Sequence, residues 1–240
     1  MRLSLSLALP LLLAAAPGLA PAQVDAASNE QPEVMIEQMT CPIDGEVFTA
    51  IVGINAAYLG QRLDTRRLGA AIEPIPLPVC PTTGFVVYRR DFTPEQLALA
   101  KEIVDSTDFR RQVRTGNEYT VAAYLAEQLG EPRMAIAHFW LEASWLFESD
   151  PVRNPEYLER AYDWYTLALE EVGNDQEKFW QVQALRVELL RRLGRFDEAR
   201  TLLTELPVNS LPTGHALKKV LVQQQLLLQR GDSQPRPVDG

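Results

Sequence analysis

A chain of 240 residues with 46% hydrophobic residues carries enough apolar side chain for a packed core, which excludes wholesale disorder. Its net charge of −9, with no clustered Lys/Arg face, sets it against nucleic acid as a partner. Two cysteines and two histidines, with no Gly-rich phosphate loop, G-x-S-x-G turn or HExxH helix, leave little chemistry for an enzyme.

At the start of the chain Arg2 precedes the apolar run Leu3 to Leu13, and small residues lead to Ala20-Pro21-Ala22. This is the grammar of a secretory signal peptide over 1–22, so the expected location is the periplasm or the medium, with no membrane insertion after cleavage. Residues 23–38 begin polar and aperiodic and read as a flexible leader; 231–240 (GDSQPRPVDG) read as a disordered tail.

From 39 to 92 the pattern is turn followed by strand, twice. Cys41-Pro42-Ile43-Asp44-Gly45 leads into the β-branched run EVFTAIVGI, and Cys80-Pro81-Thr82-Thr83-Gly84 leads into Phe85-Val86-Val87-Tyr88. The stretch between them reads as loop, and Pro74, Pro76, Pro78 and Pro81 keep its end extended. Within it, Asp64-Thr65-Arg66-Arg67 is a polar cluster with no local structural explanation.

Residues 93–230 are helical in pattern. Thr93-Pro94-Glu95-Gln96 supplies a cap, a first-turn proline and a Gln three residues past the cap. Apolar periodicity then places helices at 94–105, 107–114, 118–129, 132–148, 155–172, 177–193, 195–206 and 213–229. His138 and His215 fall inside two of these, as packed or surface helix residues. Across the expected helices 177–193 and 195–206, Val182, Leu185, Leu189 and Leu193 recur at helical steps, Gly194 interrupts, and Phe196, Ala199, Leu203 and Leu206 resume the period. Gly194 lets one helix end and the next fold back, and small Ala199 sits where the two touch.

The segment LGRFDEA resembles the inter-helix turn of tetratricopeptide (TPR) repeats, and LGEPRMA repeats its spacing, with Gly130 to Ala135 matching Gly194 to Ala199. The expected fold is therefore mainly α: TPR-like antiparallel helical repeats behind a small N-terminal β module that is zinc-ribbon-like. The two Cys-Pro turns are spaced like CPxCG knuckles, and about Thr40 to Leu206 the chain resembles a bacterial uncharacterised family in which two such knuckles precede a TPR-like domain. In each knuckle the second cysteine is replaced, by Asp44 and by Thr83. A structural zinc wants four ligands, which Cys41, Cys80 and Asp44 do not complete. Facing knuckles that lost their metal would bring the two remaining thiols close to bonding distance. Three states stay open at this point: a Cys41–Cys80 disulfide, which export to an oxidising compartment favours, a metal held with borrowed ligands, or free thiols.

The functional expectation is a non-enzymatic interaction module whose helical groove takes a peptide or protein segment, with no cofactor. The alternative is a thiol or metal-binding protein or enzyme that uses Cys41, Cys80 and Asp44.

Overall fold

The computed structural model describes residues 32–211 and 214–239; the expected signal peptide over 1–22 and most of the expected leader lie outside that range. Two β-hairpins come first. Strand β1 (Glu33–Thr40) pairs antiparallel with β2 (Val47–Asn55), with a register shift between Met35 and Ile36, and β3 (Tyr58–Gln61) pairs antiparallel with β4 (Arg67–Gly69). Eight helices follow among the described residues: α1 (Pro94–Asp105), α2 (Thr107–Thr115), α3 (Glu118–Gln128), α4 (Arg133–Leu146), α5 (Arg153–Val172), α6 (Gln176–Arg192), α7 (Phe196–Glu205) and α8 (Ala216–Gln229). No helix among the described residues is long and apolar enough to cross a membrane.

The helix ends lie close to where periodicity and caps put them. Thr93 and Gln96 form a reciprocal capping box on α1, Asn117 accepts from Tyr119 N and Thr120 N at the start of α3, and Asp175 accepts from Lys178 N on α6. Gly130 and Gly194 close α3 and α6 in the same way. Each sits at φ near +70°, where a Cβ is disfavoured, and the next amide reaches back to the helix: Glu131 N to Ala126 O and Arg195 N to Leu190 O, both 2.9 Å. Gly231 closes α8 with the same motif, Asp232 N to Leu227 O at 3.0 Å.

Consecutive helices pack in a stack, so interior helices bury more than one face. Tyr119, Ala123 and Ala126 of α3 face the core shared with α4 and α5, whereas Val121, Ala122 and Leu125 face α1, α2 and the cysteines. Helix α6 repeats this, with Val182 and Leu189 on one side and Trp180, Val187 and Leu190 on the side of α7 and α8. Wholly buried Ala199 of α7 belongs to that last cluster.

Four expectations need correction. The leader is not loose as far as residue 38, because Glu33–Thr40 is a strand; most of its side chains are exposed, so its order comes from main-chain pairing that leaves no alternating pattern to read. The inter-knuckle stretch contains a hairpin, β3–β4. The run Phe85–Tyr88 makes one bridge, Val79 to Val86, in place of a strand, because Pro76, Pro78 and Pro81 on the facing segment have no N–H to extend the ladder. Lastly, 232–239 is ordered against the helices and the β3–β4 turn, as set out below.

The two Cys-Pro turns are the same turn made twice. Cys41 N donates to Glu46 O and Gly45 N to Cys41 O; Cys80 N donates to Phe85 O and Gly84 N to Cys80 O, all at 2.8–3.0 Å. Their sulfurs form a disulfide with Cα atoms 5.6 Å apart. The free-thiol and metal-ligand alternatives therefore lose both sulfurs, and Asp44 is occupied locally, accepting from Glu46 N at 3.0 Å.

Candidate functional site

Of the polar cluster Asp64-Thr65-Arg66-Arg67, the first three lie in the turn of the β3–β4 hairpin and Arg67 begins β4. Arg62 N donates to Arg66 O, and Thr65 takes φ +69° to close the turn, a costly value for a β-branched residue. Asp64 at the tip is 1% exposed. Arg62 forks onto it, Nε to Oδ1 at 3.0 Å and Nη2 to Oδ2 at 2.5 Å, and Arg192 at the end of α6 adds Nη1 to Oδ2 at 3.2 Å. Glu148, just past α4, accepts from Arg62, Arg66 and Arg192 at 3.1–3.3 Å. Three guanidinium groups and two carboxylates thus tie the hairpin to two helix ends. Burial pushes the Glu148 carboxyl up, but the Arg62 hydrogen bond and the three arginine charges outweigh it and hold it below its ordinary value. Burial likewise lowers Arg192 against the pull of Asp64.

Residues 232–239 run alongside that turn. Leu63 N donates to Arg236 O and Val238 N to Gln61 O, both at 2.9 Å, with a bridge between Arg62 and Pro237. From α6, wholly buried Arg191 gives Nη1 to Asp232 O at 2.5 Å and Nη2 to Gln234 O at 2.9 Å. Its remaining donors fork onto buried Glu188, whose carboxyl burial raises against the opposing pull of Arg191. From α8, Gln223 gives Nε2 to Pro237 O at 2.8 Å and accepts from Asp239 N at 3.0 Å.

Beneath the hairpin turn and Val238 lies a cavity of about 730 Å³. Its walls are mainly apolar: Met134 and Ala135 of α4, Val182 and Leu185 of α6, Leu217 and Val220 of α8. Besides Gln61 and Thr65 of the hairpin, the uncharged polar side chains His138, Tyr165 and Gln181 of the helices line it. His138 Nδ1 is 3.4 Å from the Tyr165 hydroxyl; its side chain is 47% exposed, and crowding still holds the imidazole below its ordinary value. Burial also raises the Tyr165 hydroxyl. The Arg62 guanidinium at the rim is committed to Asp64 and Glu148. The Glu142 carboxyl lies 3.7 Å from His138 Nε2; burial first, then repulsion from Glu73, pushes it up to about 8.

No protein-family model, curated protein or solved structure matches this chain.

The structure thus distributes the residues singled out in the sequence. Asp64, Arg66 and the turn around Thr65 come together with Glu148 and Arg192, while Arg67 leaves that network to pair with Glu73 at 2.7 Å. Cys41, Cys80 and Asp44 lie in the knuckles, away from the cavity lining. Ala135 is half-buried in the cavity wall, whereas Ala199 is sealed in the core. His215 is not inside a helix; its Nδ1 caps α8 by accepting from Leu217 N. Sequence reading missed Glu148, Arg191, Arg192 and Gln223. The available signal was Glu188 and Arg191, three apart and flanked by apolar residues on a helix that buries both sides.

Proposed function

We propose that the protein is an exported, non-enzymatic interaction module. In this reading the helices of 93–230, α1–α8, form a TPR-like array, the knuckles are a zinc-ribbon relative closed by a disulfide in place of metal, and the partner is a peptide or protein segment taken on the face lined by α4, α6 and α8. The carrying observation is the 730 Å³ cavity on that face, apolar in its walls and touched by uncharged polar groups. Such a site gains affinity by burying apolar surface and orientation from a few hydrogen bonds. Export is supported by the Arg2 and Leu3 to Leu13 pattern and by the Cys41–Cys80 bond, which persists in an oxidising compartment.

The test is photo-crosslinking in intact producing cells, with a photoreactive residue in place of Leu185 and the product recovered from the exported fraction. A discrete protein adduct is expected, and it should vanish when Ala135→Trp, at a half-buried position, fills the cavity from its wall with far-UV circular dichroism unchanged. The same adducts from open and filled cavities would end this reading.

A further inference from the structure

We infer that the face above the cavity is a reader of extended main chain, and that residues 232–239 occupy it in cis in the place of a partner strand; this rests on the interaction reading above and names the chemistry of the partner. The first argument is how the segment is held. Seven of its main-chain groups are bound from outside it: the carbonyls of Asp232, Gln234, Arg236 and Pro237, and the amides of Asp232, Val238 and Asp239. None of residues 232–239 is buried. A core strand buries side chains, whereas a docked peptide is held by its backbone on a surface built by other residues.

The second argument is that the receiving groups are built in. Arg191 is wholly buried and Gln223 is 8% exposed. Glu188 holds the Arg191 guanidinium in a fork, so its outward donors keep their aim and its charge stays paired whether or not a segment is bound. The hairpin turn supplies the other side, with Leu63 N and Gln61 O set to pair with any extended chain.

The third argument is chemical fit. Arg191 and the Gln223 amide offer donors, and Pro235 and Pro237 make the segment rich in carbonyls and poor in amides. Between them and the helices, half-buried Val238 covers the cavity. The partner this face fits is therefore an extended, proline-containing segment that presents carbonyls and places one apolar side chain over the cavity. It binds by displacing 232–239.

The test uses the full chain with a protease site inserted between Gly231 and Asp232, folded and then cut. A fluorescein-labelled synthetic peptide of residues 232–240 is the probe. After cutting and gel filtration the segment should leave, far-UV circular dichroism should stay unchanged, and the peptide should rebind saturably. The same peptide with Val238→Asp should bind at least about tenfold more weakly, as should the normal peptide to uncut chain. A segment that never leaves, helices that melt when it does, or a probe that does not rebind would each overturn the inference. Loss of the Leu185 crosslink in the Ala135→Trp chain does not depend on peptide exchange, so the two readings fail separately.

Discussion

Burying Asp64 is tolerable only because two guanidinium groups reach it, one through a two-bond fork. A carboxylate taken out of water costs several kcal/mol, recovered when its oxygens are fully engaged by charged donors. Removing the carboxylate leaves the opposite problem, because Arg62 and Arg192 are 8% and 5% exposed and would share only Glu148. Asp64→Ala should therefore destabilise the chain by about 3–5 kcal/mol. Arg66→Ala is the contrast: Arg66 is 25% exposed and makes one long contact, so about 1 kcal/mol or less is expected. Urea unfolding of the two variants tests this, and equal midpoints would show that the network contributes little.

The knuckles are not a module apart from the helices. The two cysteines are 1% and 0% exposed and share a core with Phe85, Ile103, Phe109 and Leu125. At Gly84, an added Cβ would come within 2.9 Å of both Val113 methyls, so the second knuckle rests directly on α2. Helix α3 carries the contact onward, since Tyr119 donates to Ile75 O at 2.5 Å and Glu131, after α3, accepts from Arg89 at 2.8 Å. The disulfide closes a loop with a sequence separation of 39. On the chain-entropy account that contributes about 3–4 kcal/mol. Cys80→Ser should loosen more than the knuckles: hydrogen exchange should accelerate across 39–55, 78–92, α1 and α2, while α5 to α7 keep their protection. Acceleration confined to 39–92 would mean that the shared core is too weak to couple them.

Across the whole molecule, stability should vary with pH on two limbs. Glu142, raised to about 8 from an ordinary value of 4.5, keeps a proton in the folded state that the unfolded chain has released. Stability therefore falls as pH rises through that window, by at most about 1.4 kcal/mol per pH unit for one proton. Glu188, also raised by burial, adds to this limb. His138 is held low, so it opposes folding only as pH drops below 6.5. Glu148 and Asp232 are lowered, and their contribution is lost as pH falls below the usual carboxylate range. Between pH 6.5 and 8.5 the melting temperature should decline, and Glu142→Gln should flatten that decline while leaving the acid limb in place. An unchanged decline in the variant would assign the alkaline limb elsewhere.

The sequence by itself determined what short-range physics controls. Helix positions from α1 to α8 follow from periodicity with Thr93, Gly130 and Gly194 as stops and starts, because a helix satisfies its own backbone within four residues. The repeated Cys-Pro-x-x-Gly turn was equally legible, since each makes its hydrogen bonds within six residues. Only the tertiary structure decided which distant groups meet. Asp64 and Arg192 are 128 residues apart, and in sequence each is one more charged residue beside others that stay in water. Strand β1 and 232–239 escaped for a related reason: both are held through their main chains, β1 by the neighbouring strand β2 and 232–239 by distant residues, and main-chain groups are the same at every residue. The chain's local grammar thus specifies its helices, while the candidate site exists only where the hairpin turn, two helix ends and 232–239 converge.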